Sequence, residues 1–182
     1  MDTPVAILVI DVQVGLFAGP QPVHDGTATV ERIRALTERG REAQVPVFYI
    51  QDNDVGPIDS PDWQLHPGLA ARLDDRVVRK PYADSFHQTT LQAELAALAV
   101  GRLIIAGCKT DVCVEMTCRR AVSLGYDVTL VGDGHTTTDN QFMAASQSIG
   151  YYNWLLDGFG AEDGFGSGQH EIIVRLAHDI TF

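Results

Sequence analysis

Short, continuously apolar segments recur along the chain and alternate with longer segments whose apolar residues follow a helical spacing. Strands of a parallel sheet are covered on both faces, so they have no polar face and produce such runs. The predicted strands are residues 6–10, 45–51, 76–79, 102–107, 126–131 and 171–176. The predicted helices are residues 29–44, 90–100, 111–125 and 139–157. This alternation predicts a three-layer α/β/α domain around a mostly parallel sheet of about six strands.

Two connections between these elements are long. Residues 52–68 are polar and rich in proline and glycine, and α/β loops of this length are commonly functional, so we expect this one to lie over the site. Residues 158–168 are rich in glycine and predict a flexible connection. A chain of 182 residues can bury one substantial core, so residues 1–182 are expected to form a single domain.

Charge and composition limit the classes of partner. A formal net charge of -11 and a pI of about 4.7 disfavour nucleic acids and anionic membranes, because a phosphate backbone requires a basic face. No apolar stretch approaches the roughly 20 residues that span a bilayer, and residues 1–4 lack the basic start of a signal peptide, so we expect a cytoplasmic protein. The 3 cysteines are an odd number and lie in one segment, which fits reduced thiols better than a disulfide framework.

Three reactive side chains follow the ends of predicted strands. Asp11 follows residues 6–10, Lys80 follows residues 76–79, and Cys113 lies in the turn after residues 102–107. The carboxyl ends of parallel strands share one edge of the sheet, where ligands bind, so we expect these side chains to converge. A carboxylate, an ammonium group and a thiol in one place suggest a cysteine hydrolase.

Each of these residues also has a plainer interpretation. Cys113 could be a small core residue, Asp11 could accept hydrogen bonds from the turn at residues 12–15, and Lys80 could be solvated. A position just inside the start of a predicted helix nevertheless favours Cys113 as a nucleophile. Unpaired backbone N–H groups and the helix dipole are expected there to lower the pKa of the thiol and to stabilise an oxyanion. Cys108 and Cys118 are predicted to be buried structural residues.

Three motifs, in order along the chain, resemble the isochorismatase-like cysteine hydrolases. The first is AILVIDVQVGLF, the second is VVRKPYADSF followed by Thr89 and Leu91, and the third is GCKTDVCVEMTCRRAVSLGYDVTLVGDGHTT. Nicotinamidases, N-carbamoylsarcosine amidohydrolases and streptothricin hydrolase are relatives in this group. The resemblance covers most of the chain and implies the isochorismatase-like, Rossmann-like fold.

The resemblance also implies a mechanism and a set of roles. Asp11, Lys80 and Cys113 would form the catalytic triad of an enzyme that hydrolyses an amide or related C–N bond through a thioester, with no cofactor. The Cys108–Lys109 peptide bond would be cis, and the backbone N–H groups of Lys109 and Cys113 would form the oxyanion hole.

Further implications concern the pocket and the partners. Phe17, Trp63, Phe86 and Thr137 are the candidate substrate-binding residues, although aromatic side chains in such loops can also be simple packing. His66 is expected to be a hydrogen-bonded structural residue. The substrate would be a small molecule such as an aromatic amide, a carbamoylated amine, an aliphatic amide or a lactam. The resemblance further implies a homodimer or a homotetramer.

A departure from the relatives concerns metal binding. Nicotinamidases that resemble this chain have an aspartate and two histidines after the second strand, where this chain has Gln51-Asp52-Asn53-Asp54. Because the histidines are missing, we predict no catalytic metal, although Asp52 and Asp54 could bind a hard cation weakly. Two alternatives stay open, a metal-dependent nicotinamidase and a non-catalytic binding or scaffold member of the family.

Overall fold

The predicted strands form one parallel sheet in a computed structural model of the protein, which describes residues 3–161 and 168–182. The strands are β1 (Val5–Ile10), β2 (Val47–Asp52), β3 (Arg76–Lys80), β4 (Arg102–Cys108), β5 (Asp127–Thr136) and β6 (Ile172–Arg175). Their order across the sheet is β3-β2-β1-β4-β5-β6. The predicted fold class is therefore confirmed.

Helices cover both faces of this sheet. They are α1 (Val14–Ala18), α2 (Gly26–Glu42), α3 (Leu91–Ala97), α4 (Glu115–Ser123) and α5 (Ala145–Leu156). A π-helical turn covers Thr110–Val114, and 3₁₀ turns cover Pro67–Leu69 and Ala177–Asp179. Successive residues of a strand point to opposite faces. Accordingly, Ile7 and Val9 pack in the core on the α2 face, whereas Leu8 and Ile10 pack on the α3 and α4 face.

The strand order reverses between β1 and β4. The chain moves outward from β1 through β2 to β3 and then returns to β4 on the other side of β1. In open parallel sheets, ligands bind in the crevice at this point. Gly107 allows the ends of β1 and β4 to pack closely, because a Cβ atom there would lie 2.0 Å from the Ile10 carbonyl oxygen. The turn after β4 therefore lies beside the residue that follows β1.

Several element boundaries differ from the predictions. Residues 139–144 lie outside α5, because Oδ1 of Asn140 accepts two following backbone N–H groups at 2.9 and 3.2 Å, and such local bonds compete with a helix. The predicted helix 111–125 begins as the π-helical turn, and α4 itself starts only at Glu115. β5 continues beyond residue 131 to Thr136, and α1 forms where only a turn was expected.

The predicted flexible connection at residues 158–168 includes residues 162–167, which lie outside the described residues. Within the part of the chain that is described, no helix has both the length and the apolar character required to cross a membrane.

Candidate active site

Lys80 lies at the centre of a buried cluster at the carboxyl edge of the sheet. Its Nζ lies 2.9 Å from Oδ2 of Asp11 and 3.4 Å from Sγ of Cys113, and it also contacts Oδ2 of Asp52. Asp11, Lys80 and Cys113 are 1%, 0% and 8% exposed. The predicted convergence of these three side chains is therefore confirmed.

The local fold directs Asp11 and Lys80 towards each other. Asp11 is the first residue after β1, and its left-handed φ of 51° turns the chain at the end of the strand. Its N–H donates to the Ile50 carbonyl at 2.9 Å, and its carbonyl accepts the Gln13 N–H at 2.9 Å, so the backbone on both sides is fixed. Lys80 is the last residue of β3, and β2 separates β3 from β1. The long lysine stem therefore crosses the end of β2 to reach Asp11.

Cys113 lies in the π-helical turn that follows β4. The Cys108–Lys109 peptide bond before this turn is cis, as the resemblance implies. The carbonyl of Lys109 accepts the N–H groups of Val112 and Val114, each at 3.1 Å, and these two bonds close the turn around Cys113. Cys108 and Cys118 are both buried free thiols, as expected for structural residues.

Asp52 belongs to the cluster, although the sequence indicated it only as a possible cation ligand. Its Oδ2 contacts the ammonium of Lys80, and its Oδ1 accepts the N–H of Asp54 at 2.8 Å. The sequence did contain a signal, because Asp52 directly follows the predicted second strand, as Asp11 follows the first. Using that signal requires the strand order, in which β2 lies between β1 and β3. The ammonium of Lys80 therefore faces two carboxyl groups and a thiol.

Burial and charge shift the pKa values in this cluster. Burial raises the pKa of Asp11 to about 7, although the charge of Lys80 and a hydrogen bond from Cys113 oppose the shift. Burial also raises the pKa of Cys113 to about 12; the charge of Asp11 adds to this effect and that of Lys80 opposes it. Burial alone would lower the pKa of Lys80, but the charges of Asp11 and Cys113 and hydrogen bonding to Asp52 raise it above its ordinary value.

The expectation of a lowered pKa for Cys113 is therefore wrong. Removal of the sulfur from water outweighs the favourable electrostatic contributions at the turn. The resting site holds a neutral thiol next to Asp11, and Oδ1 of Asp11 has no hydrogen-bond partner among the described residues. A carboxylate oxygen of Asp11 lies within 4.8 Å of the Cys113 sulfur, so the carboxyl group lies next to the thiol.

Gln13 holds the long connection after β2 next to the site, a role that the sequence did not reveal. Its side chain donates to the carbonyls of Asp52 and Trp63 at 3.0 and 2.8 Å and accepts the Asp52 N–H at 2.8 Å. Gln51 donates to the same Trp63 carbonyl at 2.9 Å. Backbone hydrogen bonds also join residues 12–15 to residues 62–66. The long connection therefore lies against the segment that follows Asp11. That it covers the site stays a prediction.

Two of the candidate substrate-binding residues lie on this side of the site. Phe17 is half-buried on α1, and its ring centroid lies 5.4 Å from that of His66. Trp63 is buried and lines a cavity of about 920 Å³ between the long connection and β3. Asp11, Lys80 and Cys113 do not line this cavity. The guanidinium of Arg79 lies 4.6 Å from the centroid of the Trp63 ring at this cavity.

The other two candidates are more deeply buried. Phe86 is 7% exposed and stacks on Tyr126, with ring centroids 5.8 Å apart, in the same apolar cluster as Cys113. Thr137 is buried, and its hydroxyl donates to Oδ1 of Asp111 at 2.6 Å. Contact of the four candidates with a substrate stays a prediction.

The charge of Lys80 disfavours a metal ion among the ligand atoms of the cluster. Asp11, Asp52 and Cys113 each place one ligand atom within 4.8 Å of the others. The ammonium of Lys80 already contacts all three residues, so a divalent cation would meet a positive charge there. Nδ1 of His66 accepts a backbone N–H at 3.1 Å, which is the structural role expected for it. The absence of a catalytic metal stays our prediction.

The fold and the site together define a class of protein. Its members are parallel α/β domains with a buried Asp–Lys–Cys cluster where the strand order reverses. The family model described as the isochorismatase domain matches residues 5–152, so the chain belongs to the isochorismatase family.

Comparison with individual relatives agrees with this assignment. A streptothricin hydrolase of Streptomyces noursei is 36% identical over 138 residues, which cover 74% of this chain and 50% of that protein. The chain thus spans about half the length of the streptothricin hydrolases it matches. A crystal structure of an isochorismatase family protein is 28% identical with a TM-score of 0.84, covering 94% of this chain and 97% of the other. A cysteine hydrolase from Pseudomonas syringae pv. phaseolicola 1448A is 25% identical with a TM-score of 0.80, covering 96% and 89%.

Proposed function

We propose that this protein is a hydrolase that cleaves an amide or related C–N bond of a small molecule through a thioester on Cys113. The observation that carries the proposal is the buried contact of Lys80 with both Asp11, at 2.9 Å, and Cys113, at 3.4 Å. These three groups supply a base, a charge partner and a nucleophile. Membership of the isochorismatase family and the names of its relatives support this reaction class.

In the first half of the reaction, Asp11 accepts the thiol proton while Sγ of Cys113 attacks the carbonyl carbon. Transfer and attack go together, because the pKa of about 12 keeps the proton on the sulfur at rest. The backbone N–H groups of Lys109 and Cys113 stabilise the oxyanion. The C–N bond then breaks, and Asp11 returns the proton to the leaving nitrogen.

In the second half, a water molecule gives a proton to Asp11, and its oxygen attacks the carbonyl carbon of the thioester. The C–S bond breaks, and the sulfur of Cys113 takes the proton back. The products are a carboxylic acid and an amine or ammonia. Lys80 stays protonated throughout, since its pKa is raised above the ordinary value, so it balances the negative charge of Asp11 and of the sulfur in turn.

Streptothricin is the first substrate to test, because a relative at 36% identity carries the name streptothricin hydrolase. The other compounds are nicotinamide, a carbamoylated amine and an aliphatic amide, which represent the amide classes expected for the family. We also propose that the protein is a cytoplasmic homodimer or homotetramer. Light scattering of the purified protein measures its oligomeric state.

The test compares the wild type with Cys113→Ala and with the control Cys118→Ala on this panel. We expect Cys113→Ala to lose at least about 10³-fold in rate and Cys118→Ala to stay active, because only one of these thiols faces Asp11 and Lys80. Mass spectrometry of the intact wild type after rapid acid quenching should detect an acyl group on Cys113, and its mass identifies the acid product.

Other outcomes would contradict this proposal. Undiminished turnover by Cys113→Ala would remove the nucleophile. Release of ammonia from nicotinamide only after a metal is added would instead indicate a metal-dependent nicotinamidase. Tight binding of a panel compound without turnover or adduct would indicate a non-catalytic binding protein.

A further inference from the structure

The turn that carries Cys113 is tied to the end of β5 by side-chain hydrogen bonds. Three consecutive residues, the one before the turn and the first two of the turn, each bond to a residue of the segment 135–138. The pairs are Lys109 with Thr138 at 3.4 Å, Thr110 with His135 at 2.8 Å, and Asp111 with Thr137 at 2.6 Å. The bond between Thr110 and His135 is the most deeply buried of the three, because these residues are 1% and 2% exposed.

An irregularity in β5 places His135 at this point. The pairing of β4 with β5 matches Ile105 with Leu130 and resumes with Gly107 opposite His135. The chain therefore takes five steps along β5, from 130 to 135, against two along β4, from 105 to 107. The additional residues bulge out of the pairing. As a result, His135 lies opposite Gly107, three residues before Thr110.

The hydrogen bonds on the side of the His135 ring that faces away from Thr110 define which ring nitrogen is protonated. Nδ2 of Asn153, on α5, donates to the Gly132 carbonyl at 2.9 Å, so Oδ1 of Asn153 is the atom that faces Nε2 of His135 at 2.8 Å. An amide oxygen can only accept, so Nε2 carries the proton and Nδ1 accepts the hydroxyl proton of Thr110. Burial lowers the pKa of His135, which keeps the ring neutral.

We propose that His135 is a positioning residue that holds the turn carrying Cys113 in its reactive geometry by accepting the hydrogen bond of Thr110. Thr110 is the first residue of that turn, and a buried Nδ1 atom without a donor is unfavourable, so the pair favours one placement of the turn. His135 acts on the backbone N–H groups of Lys109 and Cys113 through Thr110. This inference rests on the proposed role of Cys113 as the nucleophile.

Two substitutions at residue 135 distinguish the hydrogen bond to Thr110 from the hydrogen bond to Asn153. In His135→Asn, the short amide can place an oxygen close to the position of Nδ1, which preserves an acceptor for Thr110. In His135→Gln, the longer amide can place its NH₂ group close to the position of Nε2, which preserves the donor to Asn153 but removes the acceptor. We expect kcat to fall about 10-fold or more in His135→Gln and less than about 3-fold in His135→Asn, with KM unchanged in both.

Thr110 offers an independent pair of variants. Thr110→Val removes the hydroxyl at nearly constant shape, and Thr110→Ser preserves it. We expect Thr110→Val to lower kcat as much as His135→Gln does and Thr110→Ser to restore it. The double variant that combines Thr110→Val with His135→Gln should lose no more than either single variant, because both changes break the same bond.

Alkylation of Cys113 by iodoacetamide, followed by peptide mass spectrometry, gives a readout that requires no substrate. Loss of the bond frees the turn and exposes the sulfur, so His135→Gln and Thr110→Val should react several-fold faster than the wild type, whereas His135→Asn and Thr110→Ser should not. Urea unfolding of each variant shows whether only stability has changed.

The proposal is overturned if His135→Gln and Thr110→Val keep wild-type kcat and alkylation rates while only their stability falls. It is also overturned if His135→Asn is impaired as much as His135→Gln. Failure of the proposed function has a different signature, since Cys113→Ala would then stay active. An inactive Cys113→Ala together with fully active His135→Gln and Thr110→Val would reject the positioning role alone.

Discussion

At the scale of single residues, the pKa of Asp11 predicts how hydrolysis depends on pH. Asp11 accepts the thiol proton only when it is ionised, and burial raises its pKa to about 7. We therefore expect kcat/KM to rise through pH 7 and to reach a plateau above about pH 8. The pKa of Cys113 is raised to about 12, so this group gives no fall in rate below about pH 10. A constant rate from pH 5 to 8 would contradict the assignment of Asp11 as the base.

The thiol itself should be slow to react with reagents that do not use Asp11. A pKa of about 12 leaves very little thiolate at neutral pH, so alkylation of Cys113 by iodoacetamide should be slow at pH 7 and rise about tenfold per pH unit up to pH 10. The Cys113→Ala variant is the control, because it retains only the buried thiols of Cys108 and Cys118. Rapid alkylation at pH 7 would contradict the raised pKa.

Asp52 should change the pKa of Asp11, the base, rather than accept the thiol proton itself. Its negative charge raises the pKa of Asp11 and its carboxylate shares the ammonium of Lys80. Asp52→Asn should therefore shift the rising limb of the pH profile to lower pH, by up to about one pH unit. Asp54→Asn is the matched control, because Asp54 is exposed and donates to Asp52 with its backbone N–H, which the substitution retains. An unchanged limb in Asp52→Asn would show that its charge does not reach Asp11.

The sequence was sufficient to predict that Asp11, Lys80 and Cys113 lie close together. Each follows the end of an apolar run, and the carboxyl ends of parallel strands share one edge of the sheet. It was insufficient for Asp52 and Gln13. Their partners depend on strand order and on the path of a long connection, and neither is encoded in a local pattern. The prediction of a lowered pKa for Cys113 was wrong for a related reason, since the burial of a side chain depends on the packing of distant segments.

At the scale of elements, the packing of β4 against β1 should depend on Gly107. Its φ is +121°, and a Cβ atom would lie 2.0 Å from the Ile10 carbonyl oxygen. Gly107→Ala should lower the free energy of unfolding by more than about 3 kcal/mol and abolish activity, because the turn carrying Cys113 would move away from Asp11. Urea denaturation and the amide assay measure both effects.

Gly150 provides the matched control for this substitution. It lies inside α5, and a Cβ atom there would meet nothing within 4 Å. Gly150→Ala should therefore raise the free energy of unfolding by about 0.5–1 kcal/mol, because alanine loses less conformational freedom in a helix. Equal effects of the two substitutions would contradict the close contact at Gly107.

Most elements followed from the hydrophobic pattern, and the exceptions have local causes. Residues 139–144 were expected to begin a helix, but the side chain of Asn140 bonds to the following backbone and competes with it. The π-helical turn at Thr110–Val114 cannot be recognised from spacing alone, because five residues are too few to distinguish it from an α-helix. The extension of β5 to Thr136 depends on a bulge and on pairing with β4.

At the scale of the whole molecule, the topology predicts that residues 1–182 unfold as one unit. β1, at the start of the chain, lies between β2 and β4 and joins the two halves of the sheet. The end of the chain packs back on the first half, where Arg39 donates to the Ala177 carbonyl at 2.8 Å. Among the described residues, one apolar cluster includes strands of both halves of the sheet, so a single cooperative transition is expected.

Two buried side chains can report on the two halves during urea unfolding. Trp63, 2% exposed, lies beside β3, and Cys118, 0% exposed, lies on α4, which packs near β5 and β6. Fluorescence of Trp63, measured in Trp154→Phe to remove the exposed second tryptophan, and pulsed alkylation of Cys118 should give the same midpoint within about 0.5 M urea. Measurement at two protein concentrations accounts for any effect of association. Midpoints that differ clearly would mean that the half containing Lys80 and the half containing Cys113 fold separately, so the site would form only when the two halves dock.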